Sequence, residues 1–424
     1  MRFLYSLAHY LAVPFICGNL LWRSLRNPAY LQRWPERFGF SRGFEDGRDC
    51  IWVHAVSVGE VQAAVPVVKG LQHNYPDCRV LVTTTTPTGC ARVAQVFGDD
   101  VSHRYMTYDL PDAVTRFLDR FRPRVGIIFE TELWPNMLHY CRKLSIPMLL
   151  ANARLSERSA TGYRRFPALS AQMLGNISAI AAQSEDDAAR LIDLGANPDI
   201  ITVTGSIKFD VRLPASLFEQ AEVVRRVWGV HRSVWVAAST HEGEDELILS
   251  AFDDIRSALP GTLLVLVPRH PERFARVVSM CRKRGLNTAQ RSENPQSCSE
   301  INVLVGDTMG ELPLFYAAAD VAFVGGSLVP IGGHNMLEPA ALGVPVVFGP
   351  EVFNFADISR RLTEVGAARQ IPDAGALAPV ITELLSDANL RHSSGQQGRE
   401  FVERNGGAGE QVLALIDELC IQAD

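Results

Sequence analysis

The stretch VAFVGGSLVPIGGHNMLEPAALGVPVVF, residues 321–348, decides the predicted fold. An apolar run leads into a glycine pair at 325–326, and a second pair at 332–333 precedes a predicted short helix over 335–342. Glycines before a helix let the backbone approach a ligand closely and direct free N–H groups at an anion. The stretch therefore predicts a strand, a phosphate-binding loop, a helix and a second strand of an α/β domain. Its spacing matches neither the P-loop nor the dinucleotide-binding motif.

The same alternation of strand and helix extends over most of the chain. From residue 50 onward, short apolar runs typical of buried strands alternate with amphipathic periods typical of helices. This rhythm predicts parallel sheets covered by helices on both faces. The rhythm lapses at 208–217, where Asp210, Arg212 and Pro214 interrupt the periodicity. The predicted strands cover 50–56, 79–84, 125–129, 147–151, 177–182 and 201–204, followed by 233–238, 262–267, 301–305, 321–324 and 344–348.

We therefore predict an α/β protein of two Rossmann-like domains that face each other across a cleft. The predicted boundaries are 1–25 for a membrane anchor, 26–211 for the first domain and 212–424 for the second. The last helix either stays with the second domain or packs back on the first. Ligands of such sheets bind at the carboxyl ends of the strands, so the informative residues should directly follow strands.

Composition and charge bound the class of protein. The 424 residues are 47% hydrophobic and 21% charged, which is typical of a globular chain with enough apolar material for two cores. A formal net charge of −6 argues against a nucleic-acid-binding protein, which is normally basic. The eight cysteines are scattered without a CxxC pair. They indicate neither a zinc site nor a disulfide framework, and they suit a reducing compartment.

The N-terminus is predominantly apolar over residues 3–22, close to the ~20 residues that a membrane-spanning helix needs. Polar or helix-breaking residues interrupt it at His9, Pro14 and Asn19. Positive charge on its C-terminal side places the body of the protein in the cytoplasm. These charges are Arg23, Arg26, Arg33 and Arg37. We predict an uncleaved membrane anchor, either spanning or interfacial, and a buried N-terminal helix is the alternative.

Acidic candidates follow two predicted strands of the first domain. Glu60 begins a helix, whose N-terminus favours an ionised carboxylate and therefore a general base. The alternative is a capping box, in which Glu60 merely satisfies the amide of Ser57. Glu130 and Glu132 could bind substrate or assist a base, or they form only the polar first turn of a helix that starts at Pro135.

Basic and glycine-containing candidates follow later strands. Lys208 could neutralise an anionic substrate, although a lone lysine is usually only solvated. Arg269 is placed to bind a phosphate or carboxylate as a fork, against the alternative of a solvated surface arginine. The amides of residues 306–312 could hold a nucleotide, or Asp307 or Thr308 only caps a helix.

Asn335 and Glu338, in the opening stretch, lie one helical turn apart and so share a face. Glu338 could accept both ribose hydroxyls of a nucleotide while the helix amides hold its phosphate. Two glycine pairs exceed what a structural turn requires, so a ligand site is the favoured interpretation. His334 could be merely a loop residue.

Four separated motifs, taken in order, give the chain a resemblance to a known family. They are residues 52–60 (WVHAVSVGE), 129–136 (FETELWPN), 205–210 (GSIKFD) and 332–339 (GGHNMLEP). Together they resemble the 3-deoxy-D-manno-octulosonic acid (Kdo) transferases of Gram-negative lipopolysaccharide synthesis, over essentially the whole chain. The resemblance implies an inverting GT-B glycosyltransferase that needs no metal or other cofactor. It also implies CMP-Kdo as donor, lipid IVA (a lipid A precursor) as acceptor, and attachment to the inner membrane with the catalytic domains on the cytoplasmic side.

The resemblance also implies residue roles. Glu60 looks like the general base, and Glu130 and Lys208 look like groups that stabilise the transition state. The positions that match the family's CMP site are Pro268, Arg269, Met309, Gly310, Glu311, Asn335, Met336, Leu337 and Glu338. Two alternatives stay open. One is another GT-B nucleotide-sugar enzyme, an epimerase or a different glycosyltransferase, and the other is a two-domain ligand-binding protein without catalysis.

Overall fold

The computed structural model describes residues 1–44, 46–211 and 213–423, and the chain divides into two compact units. The first unit comprises Met1–Asp210 and Gly406–Asp424, and the second comprises Val211–Asn405. Each unit contains a seven-stranded parallel sheet with helices, which confirms the predicted α/β class and its two Rossmann-like domains. Arg212, which the prediction placed in the linker, lies outside the described residues.

The first unit begins with a long helix and then alternates strands and helices. Its helices are α1 (Arg2–Arg26), α2 (Val58–Asn74), α3 (Pro87–Phe97), α4 (Pro111–Phe121), α5 (Pro135–Lys143), α6 (Glu157–Arg164), α7 (Pro167–Leu174) and α8 (Glu185–Asp193). Its strands are β1 (Cys50–His54), β2 (Arg79–Thr84), β3 (Ser102–Tyr105), β4 (Pro123–Phe129), β5 (Met148–Ala153), β6 (Ala179–Ala182) and β7 (Ile201–Val203). The strand order is β3-β2-β1-β4-β5-β6-β7, with every pairing parallel. The order reverses between β1 and β4, where sheets of this type bind their ligands.

The central strands are nearly continuous apolar runs because helices cover both faces of the sheet. Every residue of β1 is buried. Ile51 and Val53 pack with α2 on one face, whereas Trp52 packs with α4 and α5 on the other. This burial fixes the carboxyl ends of β1 and β4, so the loops that follow them start from a rigid edge.

The second unit repeats the architecture. Its helices are α9 (Leu217–Trp228), α10 (Glu244–Ala258), α11 (Phe274–Lys283), α12 (Leu312–Ala317), α13 (Leu337–Ala341), α14 (Ala356–Glu364), α15 (Leu377–Ser386) and α16 (Ala388–Asn405). Its strands are β8 (Val234–Thr240), β9 (Leu263–Pro268), β10 (Thr288–Gln290), β11 (Val303–Val305), β12 (Val321–Val324), β13 (Val346–Phe348) and β14 (Ala368–Gln370). The order is β10-β11-β9-β8-β12-β13-β14, all parallel, and it reverses between β8 and β12.

The C-terminal helix groups with the first unit, so of the two predicted possibilities for the last helix the structure has the one in which it packs back on the first domain. Helix α17 (Ala408–Ala423) packs against α2 and β4. Asp210 holds the start of this helix, because its carboxylate accepts the amides of Gly407 at 2.6 Å and Gly409 at 2.5 Å. The second unit therefore ends at Asn405. An amphipathic pattern shows that one face of a helix is buried, but it does not show which domain buries that face.

Helix α1 is long and apolar enough to cross a bilayer, alone among the helices of the described residues. Its first half nevertheless makes polar contacts with its own unit. Arg2 and Ser6 donate to Oδ1 of Asn136 at 3.1 and 2.9 Å, and the Tyr10 hydroxyl donates to Asp112 at 2.7 Å. The alternative of a buried helix is wrong, because only Ser6 and Leu20 of α1 are buried. The exposed apolar side chains are Phe3, Leu4, Leu7, Tyr10, Leu11, Phe15, Leu21, Trp22 and Leu25.

Candidate active site

Glu60 lies in the first turn of α2, just past the carboxyl end of β1, and is 8% exposed. The Val56 amide donates to its Oε2 at 2.8 Å, and the Ser57 hydroxyl donates to its Oε1 at 2.9 Å. The Glu60 amide donates back to the Ser57 hydroxyl at 3.4 Å. The Ser57 hydroxyl caps the helix, but the predicted alternative of a capping box is wrong, because the carboxylate accepts the amide of Val56 and not that of Ser57.

The capping contacts do not exclude a role for Glu60 in proton transfer. Burial raises the pKa of Glu60 to about 7, although the hydrogen bonds from Val56 and Ser57 act in the opposite direction. The charges of Glu130 and Glu132 also raise it. A carboxyl group with a pKa near neutrality takes up and releases protons at cellular pH, which suits a general base. The hydrogen bonds from Val56 and Ser57 orient the Glu60 carboxylate, while burial raises its pKa.

Glu130 and Glu132 follow β4, the neighbour of β1. Glu130 has a φ of 61°, a left-handed conformation that is uncommon for residues other than glycine. Its carboxylate has no hydrogen-bond partner within the described residues, whereas that of Glu132 accepts from the indole of Trp134 at 2.8 Å. Neither acid lies in the first turn of α5, so the interpretation as a polar first turn is wrong. Glu130 is the acid that stays available to a ligand.

Lys208 lies in a short 3₁₀ turn, Ile207–Phe209, that packs against α2. The Ile207 amide donates to Oδ1 of Asn152 at 3.1 Å, and Ile207 and Phe209 are both buried. The half-exposed Lys208 ammonium makes no hydrogen bond or ion pair inside the described ranges. The turn follows β7, so Lys208 lies at the same edge of the sheet as Glu60 and Glu130. Asn152, which fixes this turn, is fully buried with a φ of 52° and was not singled out from the sequence.

The first glycine pair of the opening stretch does not form the predicted phosphate-binding loop. Glu244, in the first turn of α10, is fully buried and accepts the amides of Gly326, Ser327 and Leu328 at 2.7, 3.0 and 2.9 Å. It also accepts the amide of His241 at 2.9 Å. The protein's own carboxylate therefore occupies the N–H groups that were predicted to bind an anion.

The second glycine pair leads to a helix shorter than predicted. Helix α13 covers the five residues Leu337–Ala341 and not 335–342. The Leu337 amide already donates to Oδ1 of Asn335, while Nδ2 of Asn335 donates to Glu338, both at 3.0 Å. The predicted proximity of Asn335 and Glu338 is therefore present, and burial raises the pKa of Glu338. The side chains of Met336 and Leu337 are fully buried, so only their backbone groups could meet a nucleotide.

Arg269 directly follows Pro268, the last residue of β9, and its side chain is exposed. Its amide donates to the carbonyl of Thr240 at 3.0 Å, which ties the loop to the end of β8. In the part of the chain that the structure describes, the Arg269 guanidinium has no hydrogen-bond partner. It is thus available to an anion at the carboxyl edge of the second sheet.

The loop before α12 carries Met309, which is 63% exposed, and Gly310, whose φ is 86°. The Glu311 carboxylate is engaged, because Arg291 donates to it at 2.8 Å and the Thr308 hydroxyl also donates. Although burial alone would raise the pKa of Glu311, these contacts hold it below its usual range. Glu311 is therefore not a free acid.

The alternative interpretation of this loop, as a capped helix start, is wrong. The Asp307 carboxylate accepts from the Ser292 amide at 2.8 Å and from Gln290 at 2.8 Å, and Thr308 contacts Glu311. Neither side chain caps α12, whose N-cap residue is Glu311 with no side-chain hydrogen bond. The loop keeps exposed backbone at Met309 and Gly310.

Three histidines lie beside Arg269, and we call His241, His270 and His334 the histidine cluster. The Nε2 atoms of His241 and His334 are 2.7 Å apart, with nearly parallel ring planes (7°) and a centroid distance of 5.0 Å. The ring centroids of His241 and His270 are 5.3 Å apart. Burial, together with the neighbouring His241 and Arg269, lowers the pKa of His334 to about 4. This cluster could not be recognised from the sequence, because its members come from three separate loops.

No group of three or more His, Cys, Asp or Glu side chains within the described residues is arranged to hold a metal ion. The histidine cluster is included in that statement. Independence from metals and other cofactors stays a prediction.

The two parallel sheets, with acidic and basic side chains at their carboxyl edges, define a protein with the two-domain GT-B fold. The solved glycotransferase of kitacinnamycin has this fold, with a TM-score of 0.53, 15% identity and coverage of 88% of this chain and 99% of that one. UDP-GlcNAc 2-epimerase from Neisseria meningitidis has it too, with a TM-score of 0.56, 15% identity and coverage of 87% and 100%. These likenesses show the fold alone, so they do not separate a transferase from an epimerase.

Sequence similarity separates the two. The family model described as 3-deoxy-D-manno-octulosonic-acid transferase (kdotransferase) matches residues 32–211. The 3-deoxy-D-manno-octulosonic acid transferase of Haemophilus influenzae is 41% identical over 421 residues, which are 98% of each chain. The chain therefore belongs to the Kdo transferase family and is a glycosyltransferase, as its four motifs predicted.

Proposed function

We propose that this protein transfers Kdo from CMP-Kdo to lipid IVA, in lipopolysaccharide core biosynthesis at the cytoplasmic side of the inner membrane. The observation that carries the proposal is Glu60, a buried and oriented carboxyl whose pKa is raised to about 7 at the switch point of the first sheet. Glu130 and Lys208 lie at the same edge with their charged groups unpaired within the described residues. Family membership supports the choice of Kdo as the transferred sugar.

In the proposed reaction, Glu60 accepts the proton of an acceptor hydroxyl while that oxygen forms a bond to the donor carbon of Kdo. The bond from this carbon to the CMP phosphate breaks on the opposite face, so the configuration inverts and CMP leaves with the electron pair. Positive charge grows at the donor carbon as in other glycosyl transfers, and the Glu130 carboxylate would stabilise it. Lys208 would neutralise the carboxylate of Kdo or the departing phosphate.

We infer that the second unit binds the CMP portion of the donor. Glu338, which is largely buried and hydrogen-bonded to Asn335, would accept the ribose hydroxyls. Met309 and Gly310 would meet the nucleotide through exposed backbone, and Glu311 through its amide because its carboxylate is engaged by Arg291. Arg269 would bind the phosphate of CMP, because the amides of the glycine loop already donate to Glu244.

We propose that α1 attaches the protein to the membrane by lying along its surface. Arg2, Ser6 and Tyr10 recur every fourth residue and bond to Asn136 and Asp112 of the same unit. A spanning orientation would either break these bonds or draw charged groups into hydrocarbon, which costs several kcal/mol. An amphipathic helix with an exposed apolar face needs neither change.

Fewer of the four arginines at or after the end of α1 are free to contact a membrane surface than the sequence predicted. Arg33 forms an ion pair with Glu36 at 2.8 Å, and Arg37 is only 4% exposed. Arg23 and Arg26 stack on Tyr30 and Trp22 and form no ion pair within the described chain, so they are the charges that would meet anionic headgroups. Alkaline carbonate extraction of membranes tests this orientation: release of the protein supports interfacial attachment, and retention supports a spanning helix.

Mass spectrometry of lipid IVA after incubation with the purified protein and CMP-Kdo tests the function. A mass increase of one or more Kdo units is expected, and it also counts the sugars. Parallel incubations with UDP-sugars test the other nucleotide-sugar enzymes, with NMR detection of any epimerised sugar. Binding of CMP-Kdo without any new product would favour a ligand-binding protein, and no product from CMP-Kdo together with transfer from a UDP-sugar would overturn the assignment.

A further inference from the structure

We propose that the histidine cluster and Arg269 together bind the phosphate of CMP, and that CMP binding places one additional proton on the His241–His334 pair. The proton comes from solvent and converts one imidazole to an imidazolium. The inference rests on the proposed function, because it takes CMP-Kdo as the donor. It assigns to side chains the phosphate contact that the opening glycine loop was predicted to make.

The cluster lies where a ligand of the second sheet should bind. His241 follows β8, His270 follows β9, and His334 lies in the segment after β12, so all three are at the carboxyl edge of the sheet. Strand order reverses between β8 and β12, and the crevice beside such a reversal is the usual ligand site of an open α/β sheet.

The glycine loop is shaped around this cluster. Gly326 has a φ of 67°, and a Cβ atom placed on it would lie 3.0 Å from Cδ2 and 3.1 Å from Nε2 of His334. A side chain at position 326 would therefore press on the His334 ring and require it to shift by a few tenths of an ångström. The positive φ already favours glycine at this position, and the absence of a side chain also leaves room for the His334 imidazole.

The charges around the cluster favour an anion. The loop after β9 presents three basic side chains to His241, namely His270, Arg273 and Arg269. Burial lowers the pKa of His241, and the charges of these three side chains lower it further. The nearby carboxylates are engaged with other groups: Glu244 with backbone amides, Asp245 with Arg273, and Glu242 with Arg276. Glu272, in the loop after β9, is exposed and forms no ion pair, and within the described residues no carboxylate pairs with the cluster or with Arg269.

The distance between the two Nε2 atoms makes proton uptake chemically simple. At 2.7 Å, one imidazole donates its Nε2 hydrogen to Nε2 of the other. The unliganded pair is therefore neutral, with one of its two protons in the hydrogen bond between the rings. A phosphate beside them favours the charged form of an imidazole, and the extra proton gives the pair a positive charge and a second outward N–H donor for the phosphate oxygens. The same imidazolium would stabilise CMP as it leaves.

Calorimetric titration of the full-length protein with CMP at pH 7, in PIPES and in Tris, tests the proposal. The two buffers differ in ionisation enthalpy, so the difference in heat reports the protons taken up on binding. We expect proton uptake for the natural protein. For His334→Gln and His241→Gln we expect binding of CMP to weaken about tenfold to a hundredfold, the range of a lost charged hydrogen bond, with reduced proton uptake.

Cytidine, which lacks the phosphate, is the matched ligand, and its affinity should be equal in the natural protein and the variants. His231→Gln is the matched protein control, because His231 is exposed and lies in the same unit. It should behave as the natural protein. If His334→Gln does not fold, His241→Gln tests the proton uptake, and His270→Gln, which should weaken binding of CMP, tests the phosphate contact of the cluster.

The outcomes separate this inference from the proposed function. If CMP binds all variants as it binds the natural protein, with the same proton uptake, the inference is overturned and the proposed function is untouched. If free Kdo binding is lost in the variants while CMP binding is kept, the cluster binds the sugar carboxylate and the phosphate assignment is wrong. If the natural protein binds neither CMP nor CMP-Kdo, the proposed function itself fails.

Discussion

Glu60 and Glu244 occupy equivalent places in the two units. Each lies in the first turn of the helix that follows the first strand of its unit, and each accepts an amide of the preceding loop, Val56 at 2.8 Å or His241 at 2.9 Å. Glu244 also accepts three amides of the glycine loop and is fully buried, whereas Glu60 accepts one further hydrogen bond, from Ser57.

The two glutamates show what distinguishes a catalytic from a structural acid at the carboxyl end of a strand. Position alone does not assign a catalytic role, because both residues have the same position. What distinguishes them is the hydrogen-bonding capacity that the fold leaves unused. Glu244 has none left and so stabilises its loop, while Glu60 keeps capacity for a proton.

The largest effect should come from Glu60→Gln. The amide keeps the size of the side chain but cannot accept the acceptor's proton, so kcat should fall about a thousandfold, within the usual range for a lost general base. Initial rates of Kdo transfer measure it. Glu132→Gln is the control, because Glu132 is held by Trp134, and it should change kcat less than tenfold. A Glu60→Gln protein of nearly full activity would move the base elsewhere.

Glu244→Gln should instead act on stability. A glutamine has only one carbonyl oxygen, and its NH₂ group would face backbone N–H groups that need an acceptor. We expect the free energy of unfolding of the second unit to fall by about 3–5 kcal/mol, as for a broken buried ionic contact. Urea unfolding measures it. The exposed Glu242→Gln, which loses only its ion pair with Arg276, should change stability by less than about 0.5 kcal/mol. Equal effects would show that the amide contacts contribute nothing.

The pH dependence should follow the raised pKa of Glu60. Because the base must be ionised, kcat/KM should rise with pH and level off above about 7. A carboxyl pKa that is higher in the folded than in the unfolded protein favours folding most at low pH, and this contribution is lost as the pH rises through the folded pKa. Thermal unfolding should therefore show Glu60→Gln gaining stability relative to the natural protein between pH 6 and pH 8. An unchanged difference would mean that Glu60 titrates normally.

The smallest effect should come from Ser57→Ala. It removes the N-cap of α2 and a hydrogen bond that lowers the pKa of Glu60, so the acid limb of the rate profile should move to higher pH. Loss of the cap should cost about 1 kcal/mol of stability. Ser156→Ala removes the same kind of cap from α6 and should give a similar stability loss without the pH shift. A pH shift in both variants would contradict the specific contact.

The fold could be predicted where the sequence is apolar on both faces of a strand. The central strands β1, β2, β4, β8, β9 and β12 follow directly from buried runs, since parallel sheets with two helical layers leave no polar positions. The strands that the sequence does not reveal are β3, β10 and β14, and each is the edge of its sheet. Their sequences, SHRY, TAQ and ARQ, are short and polar because an edge strand is only partly covered.

The candidate site was predictable where a residue directly follows a central strand, as Glu60, Glu130 and Arg269 do. It was not predictable where the partner is distant in the chain. Glu244 contacts amides more than 80 positions away, and Asn152 contacts the Lys208 turn 55 positions away. A glycine-rich loop looks the same in sequence whether an external phosphate or an internal carboxylate satisfies it. Only the arrangement of the strands decides between these.

The carboxylate of Glu244 has a consequence for the catalytic cycle. A loop ordered by its ligand loses its shape at each product release and must recover it, at an entropic cost, with the next donor. Here the group that orders the loop, the Glu244 carboxylate, is part of the chain. The loop around His334 therefore keeps its shape at any donor concentration. Ligand binding therefore adds no stability through ordering of this loop, and successive donors meet the same preformed surface.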